Sequence, residues 1–165
     1  MILGITGHRP HKLGGYNDTT NRSQQIKLML RKAFLQGKPS CVVSGMALGV
    51  DQWAAEVALD LGIKVLALIP CKGQDCKWPT SSQKQYAELM DKITAAGGSI
   101  EYVSQDTYSP SCMHERNKRI VKYSTSILAV WDGTWGGTGS CVRLAKQAGK
   151  SIIVIHPTTL EVTQQ

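Results

Sequence analysis

The amino-acid sequence predicts an α/β fold of the Rossmann-like, doubly wound type, in which helices cover both faces of a mainly parallel sheet. Two observations predict it. Short runs of Val, Ile and Leu alternate with segments of helical periodicity, and such continuous apolar strands are typical of a parallel sheet buried on both faces. Three of these runs also end in turns rich in Gly, Ser and Thr, and ligands of doubly wound sheets bind at the carboxyl ends of the strands.

The first half of the chain alternates regularly between strand and helix. Three apolar runs have the composition of buried strands: residues 1–6, 40–44 and 63–69. Two segments between them carry apolar side chains at helical spacing: residues 20–36 and 49–61. Gly37 and Gly62 follow these segments directly, and glycine commonly ends a helix because it adopts the left-handed conformation without strain.

The second half continues the alternation. Three further strands are predicted at residues 99–104, 126–131 and 151–155. Three helices are predicted: one that begins at Ser81 or Ser82 and ends before Gly97, and two others at 112–123 and 138–148. We expect a single domain over residues 1–157, followed by a polar C-terminal tail, 158–165, that frays.

Composition and charge restrict the function. The 165 residues suffice for one domain with a substantial core. Lys and Arg total 19 against 12 Asp and Glu, a net charge of +7, which favours anionic partners without choosing among nucleotides, nucleic acids and acidic proteins. The five cysteines are scattered without a CxxC pair, no apolar run reaches 18 residues, and the start does not resemble a signal peptide. These features favour a cytoplasmic protein without a membrane segment.

The first glycine turn follows the first predicted strand, in the sequence Thr6-Gly7-His8-Arg9. A plain turn is one interpretation of it. The other is an anion site, because a guanidinium beside a glycine turn can hold a phosphate or a carboxylate with two hydrogen bonds. His8 could then donate a hydrogen bond or act as a general acid.

The second turn runs from Ser44 to Asp51 and joins a strand to a helix. The N–H groups of a helix N-terminus point outward, and glycines let a phosphate approach them. Tight packing is the alternative explanation for Gly45 and Gly49. Asp51, in the first helical turn, either matches the helix dipole or accepts a hydrogen bond from a ribose hydroxyl.

The third turn, residues 132–140, is the most glycine-rich. Four glycines in the eight residues 133–140 are costly unless the backbone must turn sharply or approach a ligand, so we expect phosphate binding here. Trp135 in this turn is a candidate to stack on a base. Arg116 and Asn117 lie either on a solvated helix face or at the rim of the same pocket. The histidines have no partners at metal-like spacing, and we expect no metal site.

Three motifs carry a resemblance to a known superfamily. Ser44-Gly45-Met46-Ala47-Leu48-Gly49-Val50-Asp51 resembles the SGxAxGID motif of the DprA/Smf Rossmann domain, and Ile5 to Arg9 is similar to the start of that family and of YpsA-like (DUF1273) proteins. Glu115 to Val121 resembles the RNxxI helix of the family. The matches keep their order, and the chain is identified as a member of the SLOG superfamily, which includes the LOG phosphoribohydrolases. The resemblance implies a Rossmann-like sheet, a nucleotide-related ligand and a homodimer or higher homo-oligomer.

One departure concerns catalysis. LOG enzymes resemble this chain at Gly136 to Gly139, within a PGGxGTxxE motif whose glutamate assists cleavage of the N-glycosidic bond. Val142 and Arg143 occupy the positions where acids would follow. Such cleavage usually needs a carboxylate. Asp51 is the candidate to take the place of the missing glutamate, and Asp132 is the alternative.

The function predicted from the sequence is binding of a nucleotide or nucleotide-derived ligand, such as an ADP-ribose- or NAD-type signal, without a cofactor or a metal. The alternatives are a nucleoside 5′-monophosphate phosphoribohydrolase and DprA-like binding of single-stranded DNA. The predicted ligand-binding residues come from the three turns and the basic helix: Thr6, Gly7, His8, Arg9, Ser44, Gly45, Met46, Gly49, Asp51, Arg116, Asn117, Asp132, Gly133, Trp135, Gly136, Gly137, Thr138, Gly139 and Ser140.

Overall fold

The computed structural model describes residues 1–15 and 21–165. Within them, seven strands form one sheet: β1 (Ile2–Gly7), β2 (Cys41–Ser44), β3 (Lys64–Ile69), β4 (Ser99–Tyr102), β5 (Ser126–Val130), β6 (Ser151–Ile155) and β7 (Val162–Gln164). The helices of the same residues are α1 (Asn21–Gly37), α2 (Val50–Asp60), α3 (Thr80–Ala95), α4 (Pro110–Tyr123) and α5 (Gly137–Gln147). A short 3-10 helix, Pro10–Lys12, follows β1. Thr20, the first residue of the helix predicted at 20–36, lies outside the described residues.

The strands lie in the order β4-β3-β2-β1-β5-β6-β7. All neighbours are parallel except β6 and β7. The chain starts in the middle of the sheet with β1, builds one side as far as β4, and then crosses to the other side of β1 with β5. The order therefore reverses between β1 and β5, where a doubly wound sheet leaves a crevice at the carboxyl ends of its strands. The predicted fold class is confirmed.

Helices cover both faces of the sheet. α1, α2 and α3 pack on one face, where Phe34 is fully buried. α4 and α5 pack on the other face through Ile120 and Val142. Gly4 of β1 lies beneath α4, where an added Cβ would overlap Ser124 Oγ at the end of α4 and come within 3.0 Å of Ile120 Cγ2. This glycine therefore sets how closely α4 approaches the sheet.

α4 begins at Pro110, two residues before the predicted start. The Ser109 side chain accepts a hydrogen bond from the N–H of Cys112 at 3.2 Å and so caps the helix. Pro110 then occupies the first helical turn, where its fixed φ is favourable and its missing N–H costs nothing. The earlier start brings Pro110 itself to the carboxyl edge of the sheet.

The prediction that the tail frays is wrong for residues 162–165. β7 pairs antiparallel with β6, and the backbones of Gln165 and Ile152 exchange hydrogen bonds of 2.9 and 3.0 Å. The side chains of β7 are exposed, so polar composition did not reveal this strand. It forms because main-chain groups on the open edge of β6 need partners whatever the side chains are.

No helix in the described ranges is long and apolar enough to cross a membrane.

We expect Gly4→Ala to lower the free energy of unfolding by about 1–3 kcal/mol, because the new methyl group would overpack the contact between β1 and α4. Urea denaturation followed by circular dichroism measures the change. Gly37→Ala, at the exposed end of α1, is the matched control: its Cβ would meet the flexible end of Met1, and it should not lower the free energy of unfolding. Equal stability of the two variants would contradict the tight approach of α4.

Candidate functional site

A cleft of about 440 Å³ opens at the carboxyl edge of the sheet, where the strand order reverses. It is lined by the ends of β1, α2 and α4 and by the loop that leads into α5. Twelve of the ligand-binding residues predicted from the sequence line it: Thr6, Gly7, His8, Arg9, Asp51, Arg116, Asn117, Trp135, Gly136, Gly137, Thr138 and Gly139. Elements distant in the sequence, including the basic helix, thus meet in one place.

Seven other predicted residues do not line the cleft: Ser44, Gly45, Met46, Gly49, Asp132, Gly133 and Ser140. Ser44 is fully buried, and its hydroxyl donates to Asp51 O at 2.8 Å and accepts from Met46 N at 3.1 Å. These bonds use the hydroxyl to hold the turn after β2. The structure therefore places Ser44 beneath the site, as part of its support.

The two glycines of the second turn are explained by packing. A Cβ on Gly45 would overlap the guanidinium of Arg116, and a Cβ on Gly49 would come within 2.7 Å of His8 O. Gly49 also has a φ of +91°, which side chains rarely adopt. Of the two interpretations of this turn, the contacts of both glycines match tight packing.

Seven residues that the sequence did not single out also line the cleft: His11, Lys12, Ala47, Tyr108, Pro110, Met113 and Thr134. His11 and Lys12 arrive through the 3-10 helix, and the basic run that continues past Arg9 was the available signal. Tyr108 precedes α4 and is 62% exposed. No motif marks it, because its position depends on how α4 docks onto the sheet.

Arg116 and Asp51 form an ion pair on the floor of the cleft. Both residues are buried, and Arg116 Nη1 lies 3.8 Å from Asp51 Oδ2. Nη1 also donates to Gly45 O at 2.8 Å, and Nε donates to Asn117 Oδ1 at 3.0 Å. Burial raises the pKa of Asp51, against the opposing effects of Arg116 and of the Ala47 N–H.

The N-terminus of α5 presents backbone donors at the cleft. The first helical hydrogen bond runs from Ser140 N to Gly136 O, so the N–H groups of Gly137, Thr138 and Gly139 have no partner within the helix. Gly136 provides no capping side chain. Thr138 is only 8% exposed yet lines the cleft. Donors and the positive end of the helix dipole therefore converge where an anion can bind.

A second polar cluster joins the ends of β1 and β5. His8 Nε2 lies 2.8 Å from Asp132 Oδ1, and the Thr134 hydroxyl donates to the same oxygen at 2.6 Å. Lys12 contacts both Thr134 and Asp132. Burial lowers the pKa of His8, although Asp132 opposes this effect. Partial burial acts to raise the pKa of Asp132, but hydrogen bonds from Thr134 and His8 hold it well below its usual range.

The reversed strand order and the glycine turns at the carboxyl edge define a Rossmann-like protein. The chain belongs to the YspA SLOG family, because the family's YpsA model matches residues 3–158. The superfamily identified from the sequence motifs is thereby confirmed.

Two relatives similar in sequence carry UPF0398 names. UPF0398 protein YpsA of Bacillus subtilis is 27% identical, over 98% of this chain and 96% of that protein. UPF0398 protein LBA1157 of Lactobacillus acidophilus is 27% identical over 55% of this chain, and the match spans about half of that relative, 53% of its length. These names state no ligand or reaction.

Solved structures with the same fold include DNA processing protein A from two bacteria. The Helicobacter pylori protein, described for its single-stranded DNA binding mode, is 26% identical with a TM-score of 0.65, covering 93% of this chain and 64% of that one. The Streptococcus pneumoniae protein is 17% identical with a TM-score of 0.67, covering 96% of this chain and 51% of that one. At 17% identity, the likeness to the Streptococcus pneumoniae protein shows the fold alone.

Replacing Arg116 tests the floor of the cleft. We expect Arg116→Met to lower the free energy of unfolding by about 3–5 kcal/mol at pH 7, because Asp51 would remain buried without its partner. Adding Asp51→Asn should restore part of the loss, and the double-mutant cycle by urea denaturation measures the coupling. The loss should shrink as the pH falls toward 5, because a protonated Asp51 needs no counter-ion. Strictly additive effects would contradict the pairing.

Proposed function

We propose that the cleft binds a nucleotide or nucleotide-derived ligand whose phosphate sits at the N-terminus of α5. The observation that carries the proposal is the convergence of three backbone N–H groups, residues 137–139, with the nearly buried Thr138 hydroxyl. Arg116 lines the same cleft from α4. Backbone donors at a helix N-terminus, with a cation beside them, are a common arrangement for phosphate.

The charge around the cleft also favours an anion. Arg9, Lys12 and Arg116 line it, and two carboxylates, Asp51 and Asp132, lie on or next to its walls. Each carboxylate already has a cationic or hydrogen-bonding partner. Among the residues that the structure describes, three cations against two carboxylates leave one net positive charge for a ligand to neutralise.

Aromatic side chains at the rim suit a base. Trp135 is 84% exposed, and the guanidinium of Arg143 stacks on its ring at 4.6 Å from the centroid. Among the described residues, Tyr108 is the other exposed aromatic that lines the cleft. Exposed rings beside a phosphate site support stacking with a base, and the volume lies within the usual range for small-ligand pockets, about 300–1,000 Å³.

Binding without cleavage of the N-glycosidic bond fits this arrangement best. Val142 is buried and Arg143 is stacked on Trp135, so these two positions of α5 supply no carboxylate. Asp51 does line the cleft, but Arg116 and the Ala47 N–H already engage one of its carboxylate oxygens. An acid tied to a buried arginine is poorly placed to activate water.

Single-stranded DNA is the second candidate ligand, since the similar Helicobacter pylori protein is described by its mode of binding it. The net charge of +7 and the exposed Trp135 favour it as well. Salt dependence separates the two candidates: DNA affinity should fall steeply as salt rises, because each neutralised phosphate releases counter-ions. Loss of that binding on replacing Arg119 and Lys118 would favour the DNA alternative.

We expect Thr138→Val to weaken nucleotide binding by about tenfold or more, because a hydrogen bond to a charged phosphate is lost while shape is kept. Isothermal titration calorimetry with nucleoside 5′-monophosphates, NAD and ADP-ribose measures the affinity of the variant and of the wild type. Ser140→Ala is the matched control, because Ser140 lies in the same helix turn but does not line the cleft. Unchanged affinity in Thr138→Val, or absence of binding by every nucleotide, would contradict the proposal.

A further inference from the structure

His8 occupies an unusual position for a titratable side chain. It is 6% exposed, it lines the cleft, and its Nε2 lies 2.8 Å from Asp132 Oδ1. The N–H of Asp132 also points at Nε2, at 3.2 Å, and donates to it in the tautomer that leaves Nε2 without a proton. The carboxylate is the closer and stronger partner, so Nε2 acts as the donor and Asp132 fixes the orientation of the ring.

This arrangement leaves Nδ1 as the ring nitrogen for a ligand. Among residues 1–15 and 21–165, Nδ1 of His8 makes no hydrogen bond. When the imidazole is neutral and Nε2 carries the proton, Nδ1 can only accept a hydrogen bond. As long as Nε2 keeps its proton for Asp132, Nδ1 becomes a donor to a phosphate oxygen only when the ring takes up a second proton.

The groups around His8 hold it neutral in the free protein and ready to take up a proton. Asp132 and Thr134 face it from the loop after β5, and His11 and Lys12 face it from the 3-10 helix. Burial and the two basic side chains lower the pKa of His8, whereas Asp132 raises it. From α2, the Val50 N–H donates to the His8 carbonyl at 3.4 Å. An entering anion would add to the effect of Asp132 and raise that pKa.

The net charge of the cleft distinguishes between a terminal phosphate and an internal phosphodiester. With His8 neutral, the described residues of the cleft and their immediate partners have one net positive charge, from Arg9, Lys12 and Arg116 against Asp51 and Asp132. Protonation of His8 makes it two. A terminal phosphate has a charge near −2 at pH 7 and three free oxygens. An internal phosphodiester carries a single negative charge.

We infer that His8, oriented by Asp132, selects a terminal phosphate in this cleft: it takes up one proton as a phosphomonoester binds and donates from Nδ1 to a phosphate oxygen. This inference rests on the proposed function and deepens it by naming the ligand class. It disfavours both the pyrophosphate diester of NAD and the internal phosphates of DNA, because neither presents a doubly charged terminal group.

Proton uptake can be measured on the unaltered protein. The four nucleoside 5′-monophosphates and their O-methyl phosphodiesters are titrated into the protein at pH 7.5 by isothermal titration calorimetry. Each titration is done in Tris and in HEPES, because the ionisation enthalpies of these buffers differ. We expect up to about one proton taken up per monoester bound, since the free phosphate is already doubly charged at this pH and His8 is neutral. The diesters should bind roughly tenfold more weakly or worse.

His8→Gln tests the assignment to this residue. The glutamine amide can keep the hydrogen bond to Asp132 but cannot titrate, so the proton uptake and most of the preference for monoesters should disappear. His114→Gln is the matched control, because His114 is exposed on α4 and does not line the cleft. It should behave as the wild type.

The outcomes separate the two proposals. Binding of monoesters and diesters with equal affinity and identical heats in both buffers would overturn the role of His8 and leave the nucleotide cleft standing. Proton uptake that persists in His8→Gln would also overturn it. Failure of every monoester to bind would overturn the role of His8, and failure of NAD and ADP-ribose as well would overturn the proposed function.

Discussion

The buried ion pair between Arg116 and Asp51 is the interaction on which the cleft depends. A guanidinium and a carboxylate removed from water are costly unless they are paired and their remaining hydrogen-bonding groups are satisfied. Arg116 meets this requirement by donating to Gly45 O and to Asn117 Oδ1. One side chain thereby ties α4 to the turn after β2 and to the first turn of α2.

The same pairing extends to the phosphate site. Asn117, held by Arg116, donates to Gly137 O at 3.4 Å, so the start of α5 is linked to the floor of the cleft. The reversal of strand order between β1 and β5 supplies the opening, and these polar contacts fix the elements around it. A preorganised set of donors loses little entropy when an anion binds.

The two carboxylates at the site have different partners and therefore different properties. Asp51 lies beneath the cleft beside Arg116, and burial raises its pKa. Asp132 accepts from Thr134 and lies against His8, so its pKa is held low and it stays ionised. The first serves as a counter-ion within the floor. The second orients a histidine that can respond to the charge of a ligand.

The sequence predicted the fold well because its signals are local. Continuous apolar runs and helical spacing identified the α-helices and strands of the described residues except β7, whose exposed residues pair through the backbone of β6. The three turns were also placed at the correct edge of the sheet.

Roles within the turns were harder to predict, because they depend on which groups face each other. Ser44 looked like a phosphate ligand in the motif, yet its hydroxyl bonds to Asp51 O. The need for Gly45 comes from Arg116, which lies 71 residues further along the chain. Tyr108 reaches the cleft only because α4 docks as it does, and no sequence pattern encodes that geometry.

The most direct test follows the backbone amide signals of the protein by nuclear magnetic resonance during titration with a nucleoside 5′-monophosphate. We expect the largest shifts at Gly137, Thr138 and Gly139, with small shifts at Val50 and Asp51, because the phosphate should lie at the N-terminus of α5. Dominant shifts at the start of α2, or shifts spread along the basic face of α4 without change at Gly137 to Gly139, would contradict a phosphate site at α5.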